Sequence, residues 1–371
     1  MLQVTLKTAD LARGTAQTVS VSEKKSSLPI LSHFLLEARD NNLYITASDL
    51  ETTIREIIPA EVISPGRLTV PAKPLASLVR NLNTETVNIR EVEQLCLEFT
   101  AGQFKTVFFG LSAESFPQLP LESDFSFREM VSEQLIDAID KVSFSVSARD
   151  ERFNLSGIYM VLEENDEGQT LRLVSSDSKR LNISTISANM TDFSLDRGIL
   201  ISKKGLLELR RLAEVEDSVS VGVNLNNIMV KSKNSLLVVH LLEGGFPDYR
   251  LVIPHNYDKS ANISRTAFLD TLKRVGLITD EQNRVGTFEF DRDSLHISVT
   301  NASIGKSEET MTIEYEGDPL VTAFNLTYFI EALTNLRSES VNLSFTDPKL
   351  SFLLTGLGDP GYFGIVMTTS A

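Results

Sequence analysis

Residues 171–177 read Leu171-Arg172-Leu173-Val174-Ser175-Ser176-Asp177. Two other segments are built the same way: Leu43-Tyr44-Ile45-Thr46-Ala47-Ser48-Asp49 and Leu295-His296-Ile297-Ser298-Val299-Thr300-Asn301. In each, apolar and polar residues alternate as in a strand with one buried face. Each run ends in Ser or Thr followed by Asp or Asn, short polar residues that bond their own backbone where a strand turns. The three segments start 128 and 124 residues apart, about one third of the 371-residue chain.

Working outward, a second feature recurs at similar offsets. It comprises Val70-Pro71-Ala72-Lys73-Pro74-Leu75, Ile201-Ser202-Lys203-Lys204-Gly205-Leu206 and Phe324-Asn325-Leu326-Thr327-Tyr328-Phe329. Each reads as a strand end, a capping Pro, Ser or Asn, and an amphipathic helix with apolar residues three and four apart. A third feature, Glu114-Ser115-Phe116-Pro117 and Gly244-Gly245-Phe246-Pro247, is spaced by 130 residues. Collinear matches at a period near 125 residues imply three similar domains, 1–122, 127–250 and 251–371. Proline-containing connections at 116–124 (FPQLPLESD) and 246–256 (FPDYRLVIPHN) join them. In the first third the pattern predicts strands at 4–7, 28–39, 43–47, 53–58, 87–90, 94–100 and 104–109. Helices are expected near 10–19, 132–144 and 266–277, besides the repeat helix. Runs of strands with two helices per domain give an α+β class, with too few helices for strict βαβ alternation.

Composition narrows the function. Hydrophobic residues make up 42% and charged residues 23% of the chain, ordinary values for a globular protein. A net charge of −15 argues against a simple basic-patch nucleic-acid binder, because a negative field repels phosphate. The single cysteine, Cys96, permits no intrachain disulfide and fits a reducing compartment. Alternation places it on one strand face with Gln94 and Glu98. The N-terminus lacks a signal-peptide core, and no run approaches the roughly 20 apolar residues of a membrane helix. A soluble, cytoplasmic protein with no membrane contact is expected.

The four histidines form no metal-ligand pair, no cysteine cluster exists, and phosphate-cradling glycine motifs are absent. No metal and no cofactor are therefore expected. Ser176-Asp177-Ser178-Lys179 fits the S-x-x-K pattern of serine acyl-transfer enzymes. The companion S-D-N and K-T-G elements are missing, and the tetrad sits at a strand end rather than opening a helix. A hydrolase using Ser176 and Lys179 is thus a weaker reading, as is a repeat-built protein scaffold without a DNA role. Only the middle copy continues as Lys179-Arg180-Leu181, which marks 178–181 as a candidate interaction site.

Several stretches, in this order and spacing, resemble the bacterial DNA sliding clamp, the β subunit of the replicative DNA polymerase III holoenzyme. They are Leu28-Pro29-Ile30-Leu31, residues 46–54 (TASDLETTI), Val70-Pro71-Ala72-Lys73, residues 152–157 (RFNLSG), residues 174–181 (VSSDSKRL), residues 245–250 (GFPDYR) and Phe324-Asn325 through Tyr328. The resemblance covers nearly the whole chain. It implies a non-enzymatic processivity factor of DNA replication, cytoplasmic and nucleoid-associated. Two chains would close head to tail into a homodimeric ring, with strands outside and helices lining a hole for double-stranded DNA. A closed ring holds DNA by topology, so it needs only weak attraction inside, and acid outside opposes side-on binding.

The resemblance also implies sites. Residues facing DNA would be Lys25, Arg80, Arg149, Arg152, Phe153, Arg197, Lys203, Lys204 and Arg210, with Arg13, Lys141, Arg211, Lys273, Arg274 and Arg337 as further basic residues on or beside the inner helices. A cleft between the second and third domains would take short linear motifs from DNA polymerase subunits, the clamp loader and repair factors. Its residues would be Leu155, Ser176, Ser178, Lys179, Arg180, Leu181, Pro247, Val252, Asn325, Tyr328, Ser351, Val366 and Met367. An apolar pocket with a few polar groups suits a peptide with Leu and Phe anchors and one Gln. Three departures alter it. Ser178-Lys179 replaces the usual Gly-His, Leu251 stands where a basic residue is common, and the chain ends Met367-Thr368-Thr369-Ser370-Ala371. Weaker binding of standard motifs is expected. Phe108 would meet Leu277 and Ile278 of a second copy at the dimer interface.

Overall fold

The computed structural model describes residues 1–22, 27–147, 155–165, 168–187, 195, 198–254, 256–280 and 284–369. The first third forms β1 (Gln3–Lys7), α1 (Thr8–Thr18), β2 (His33–Arg39), β3 (Asn42–Ser48), β4 (Thr52–Pro59), β5 (Glu61–Ser64), β6 (Gly66–Pro71), α2 (Ala72–Arg80), β7 (Thr86–Glu93), β8 (Cys96–Ala101) and β9 (Phe104–Phe109). The middle third forms β10 (Ser126–Val131), α3 (Ser132–Asp140), β11 (Gly157–Asn165), β12 (Gly168–Ser176), β13 (Arg180–Ser187), β14 (Ile199–Ser202), α4 (Lys203–Ala213), β15 (Ser218–Val223), β16 (Asn227–Lys231) and β17 (Ser235–His240). The last third forms β18 (Lys259–Ser264), α5 (Arg265–Val275), β19 (Val285–Asp291), β20 (Ser294–Asn301), β21 (Gly305–Thr312), β22 (Leu320–Asn325), α6 (Leu326–Asn335), β23 (Ser340–Phe345), β24 (Phe352–Gly356) and β25 (Tyr362–Val366). Apart from β5, the three copies share one order: strand, helix, four strands, helix, three strands.

The strands make four sheets: β5-β1-β7-β8-β9, β10-β15-β16-β17-β4-β3-β2-β6, β14-β11-β12-β13-β25-β24-β23-β18 and β21-β20-β19-β22. Two of these run from one copy into the next. β4 pairs antiparallel with β17, Thr53 opposite Val238, and β13 pairs antiparallel with β25, Leu181 opposite Ile365. β4 and β13 hold the same place in their copies, as do β17 and β25. Both seams therefore follow one rule: the fourth core strand of a copy pairs with the last strand of the next.

By contacts the chain separates into two units, 1–133 with 208–241, and 134–207 with 242–371. The middle copy is divided because its two strand groups hydrogen-bond into different sheets. In the second unit, Phe268, Phe288, Phe290, Phe324, Phe329, Phe345 and Phe352 are wholly buried. Phe345 and Phe352 stack with centroids 4.2 Å apart. On α5, Phe268, Leu269, Leu272 and Val275 fall on one face and are buried there. Truncating one such Phe to Ala costs about 3–5 kcal/mol.

Local differences from the sequence reading have local causes. The strand expected over 28–39 begins only at His33, because residues Pro29–Ser32 form a 3₁₀ turn. Proline supplies no N–H for a ladder, and the Ser32 hydroxyl donates to its carbonyl at 2.7 Å. The strand expected over 94–100 begins at Cys96, because Leu95 occupies a hairpin turn with φ 65°. Gln94 therefore does not share a strand face with Cys96. Helix α3 stops at Asp140, short of 144, and Ser143–Ser145 forms a separate 3₁₀ turn.

Candidate functional site

The three repeated strand ends close in one way. Asp49 Oδ1 accepts the N–H of Glu51 (3.1 Å) and Thr52 (2.6 Å). Asp177 Oδ1 accepts those of Lys179 and Arg180, both at 3.1 Å. Asn301 Oδ1 accepts those of Ser303 (2.9 Å) and Ile304 (3.2 Å). The Asp/Asn side chain thus stands in for a ladder partner while the chain reverses. Ser176 Oγ accepts the Ser178 N–H at 3.2 Å and donates to the Arg180 carbonyl at 2.8 Å. Its hydroxyl proton is directed at a carbonyl, so the geometry gives the acyl-transfer reading no activated nucleophile. Ser178 has φ 70°, a left-handed conformation that favours glycine.

In the middle copy the turn runs through Lys179 to Arg180, and each nitrogen of the Arg180 guanidinium has a partner. Its Nε donates to Asp177 at 2.9 Å, Nη1 to Glu331 at 2.6 Å and Nη2 to the Phe144 carbonyl at 3.1 Å. The cation lies 4.6 Å from the Tyr328 ring centroid and 5.3 Å from that of Phe144. With 7% of its side chain exposed, Arg180 ties the β12–β13 turn to α6 and to the turn after α3. It lies mostly beneath the surface, among the residues that the sequence reading assigned to the cleft. Asp177, Glu331 and Phe144, which hold it, were not among the expected site residues. The i,i+3 spacing of Asp177 and Arg180 was the available signal; Glu331 lies 151 residues away and gave none.

Of the other expected cleft residues, Leu181, Tyr328, Val366 and Met367 are joined to Arg180 or its turn. Leu181 and Val366 are each 3% exposed, and Leu181 packs with Val174, Ile183, Tyr249 and Ile365. The Met367 N–H donates to the Lys179 carbonyl at 2.9 Å, so the strand end carrying Met367 is fixed to the turn. Asn325 caps α6 by accepting the Thr327 N–H at 3.0 Å. Tyr328 is half-buried, and Ser351 and Leu155 are partly exposed. Pro247, Ser178 and Lys179 are exposed, as are Val252 and Met367. Tyr249 supports the connection from below. Its hydroxyl donates to Glu163 at 2.6 Å, and Glu163 pairs with Arg172 at 2.6 Å. Burial, with the Glu163 bond, pushes the Tyr249 phenol up to about 12.

Of the expected DNA-facing residues, Lys25, Arg149, Arg152, Phe153 and Arg197 lie outside the described residues. Arg80 is exposed in the last turn of α2. Lys203 and Lys204 are exposed in the first turn of α4, where the helix dipole disfavours cations. Their position there is a cost to the helix that local stability does not explain. Arg210 pairs with Glu214. Arg211 bonds Glu208, the Gln17 carbonyl and Ser20 Oγ. Arg13 pairs with Asp10, Arg274 with Glu309 and Arg337 with Asp137. Lys141 is a correction: it is 4% exposed and held between Asp137 (2.6 Å) and Asp359 (2.7 Å), so it cannot face DNA.

Phe108 is half-buried, edge-on to Phe99 with centroids 5.5 Å apart. Leu277 is 81% exposed. Ile278 packs partly on the core of the last third, and its carbonyl accepts from Asn301 Nδ2 at 2.9 Å. Among the described residues no three His, Cys, Asp or Glu side chains gather as metal ligands.

Comparison with known proteins agrees with this fold. The N-terminal, central and C-terminal domain profiles of the DNA polymerase III beta subunit match residues 2–120, 129–248 and 250–370. The chain is 29% identical over 329 residues to the beta sliding clamp of Chlamydia muridarum, covering 88% of each. It is 28% identical over 371 residues to that of Haemophilus influenzae, covering 99% of each. The crystal structure of the Caulobacter crescentus clamp superposes with a TM-score of 0.95 at 26% identity, over the full length of both chains. The Pseudomonas aeruginosa polymerase III beta subunit gives 0.92 at 26% identity, over 99% of this chain and 100% of that one. With three domain profiles in order along its length, the chain belongs to the DNA polymerase III beta subunit family, the bacterial beta sliding clamps.

Proposed function

We propose that two copies of this chain close head to tail into a ring around duplex DNA, and that the ring tethers polymerases and repair factors through the cleft around Arg180. The family role is that of a processivity factor of DNA replication, and the chain carries the family's three domains. One observation supports the ring above others. Two seams within the chain join the fourth core strand of one copy to the last strand of the next. The same rule applied once more asks β21 for a partner of the β9 type. Among the described residues, β9 and β21 each stand at the edge of a sheet. Unpaired edges are liabilities unless they are covered. Pairing β21 of each protomer with β9 of the other satisfies both edges and closes six copies.

Exposed apolar residues beside those edges favour burial. Phe109 is 77% and Leu277 81% exposed. On the DNA side, Arg80, Lys203 and Lys204 supply attraction without tight grip, and no enzymatic chemistry is required of them. The relatives are bacterial, and a nucleoid-associated role goes with the proposed DNA-encircling ring. Sedimentation equilibrium tests the ring: the expected mass is twice 41.1 kDa. Leu277→Asp, at an exposed position, should leave the chain folded but monomeric. A folded wild-type monomer at micromolar concentration would overturn this reading.

A further inference from the structure

Two lysines flank the strand end that carries Met367. Lys179 lies in the β12–β13 turn, whose carbonyl oxygen holds the Met367 N–H at 2.9 Å. Lys349 lies just before β24, whose first residue, Phe352, pairs with Val366. Both backbones are fixed in the same way. Asp177 Oδ1 accepts the Lys179 N–H at 3.1 Å, and Asp347 Oδ1 accepts the Lys349 N–H at 2.8 Å. Both lysines are exposed, and neither joins an ion pair among the described residues. The neighbouring cations differ. Arg180 is spent on Asp177 and Glu331, Arg172 on Glu163, and Arg250 on Asp248. On a chain of net charge −15, two exposed lysines whose backbones are held by these turns, and which join no ion pair among the described residues, offer local positive charge.

Resting on the cleft reading above, we propose that this cleft selects motif peptides in which acidic residues flank the apolar anchors, and that Lys179 and Lys349 read those carboxylates. Charge complementarity carries the choice. Exposed apolar residues accompany the lysines: Met367, held to the Lys179 carbonyl, is 48% exposed, and Leu350, next to Lys349, is 59% exposed. Anchoring side chains of a peptide bury such a surface; a phosphate backbone does not use it. Each exposed ion pair contributes modestly and is screened by salt, so the effect belongs to selection among partners rather than to binding as such.

The test titrates the full-length protein with two synthetic peptides carrying one Gln and the same Leu and Phe anchors. One has two flanking Asp residues and the other two Asn residues. At about 50 mM salt the acidic peptide should bind about fivefold tighter, and at about 500 mM the two should converge. In Lys179→Gln/Lys349→Gln the ratio of the two affinities should fall to about one, whatever the double substitution does to binding of the neutral peptide. Equal binding of both peptides at low salt, or a preference that survives the double substitution, overturns the inference and leaves the cleft standing. Failure of both peptides to bind overturns the cleft reading and this one with it. Displacement of the acidic peptide by an equimolar single-stranded oligonucleotide would assign the lysines to phosphate instead, also against the proposal.

Discussion

Lys141 Nζ lies 2.7 Å from Asp359 Oδ1, and both side chains are almost wholly buried. The pair joins α3 of the middle copy to the loop that leads into β25 of the last. Asp359 also accepts the Ser338 N–H at 2.8 Å and the Arg337 N–H at 3.0 Å. Burial alone would raise its carboxyl pKa, but the Lys141 and Ser338 bonds outweigh burial and hold it below the usual range. The β13–β25 seam is thus reinforced by a saturated charge cluster.

Removing one partner of a buried pair leaves the other charge stranded, at about 3–5 kcal/mol. Lys141→Met should lower stability by that order in a denaturant titration, and Lys141→Met with Asp359→Asn should recover part of it. A single substitution costing under about 1 kcal/mol would show that the pair contributes little. Because the Asp359 pKa is depressed, its contribution is full above the unfolded carboxylate pKa and is lost as pH falls through the lower folded value.

The seam between β4 and β17 is built differently. Glu56, 5% exposed, sits opposite Ser235 and accepts its hydroxyl. Burial pushes its carboxyl up to about 7, against the lowering effects of the Ser235 bond and of Arg13 and Arg211. A raised carboxyl pKa means the folded state holds the proton more tightly than the unfolded chain. This group's contribution is therefore most favourable below about pH 4.5 and is lost as pH rises through about 7. Glu56→Gln should stabilise the protein at pH 8, on the order of 2–3 kcal/mol, with little effect at pH 4.5. Thermal unfolding across that range checks it; an equal shift at both pH values would contradict the assignment.

The repeated turns rank a third set of substitutions. Asp177→Ala and Asn301→Ala each remove two bonds to backbone N–H groups. Asn301 also donates Nδ2 to the Ile278 carbonyl at 2.9 Å, a neutral bond, whereas Asp177 also holds a buried guanidinium, at 2.9 Å. Asp177→Ala should therefore cost about 1 kcal/mol more than Asn301→Ala, because its extra bond is to a charged group. Denaturant midpoints of the two variants measure the difference, and equal costs would count against Arg180 as the local anchor.

The periodicity that sets three copies was legible because strand alternation and Ser/Thr-Asp/Asn ends repeat within the chain itself. The helix starts at Ser202 and Asn325 were legible for the same reason: short polar caps act locally, and Ser202 Oγ does accept the Gly205 N–H at 3.1 Å. Long-range pairings were not. Nothing near Arg180 in sequence signals Glu331, and nothing near Lys141 signals Asp359, so one residue was named only as a cleft residue and the other only as a basic residue of the inner helices. Prolines and left-handed turns also escaped alternation, as at Pro29 and Leu95. The seam rule itself lies in sheet order, which a single sequence does not print.

The central claim is topological, and retention on DNA tests it most directly. After loading onto nicked circular duplex, the protein should stay bound through a wash at about 0.5 M salt, where charge attraction is screened to a few ångströms. Cutting the circle once should release it as it slides off the ends. Loss from intact circles in the same wash, or equal retention before and after the cut, would contradict a closed ring.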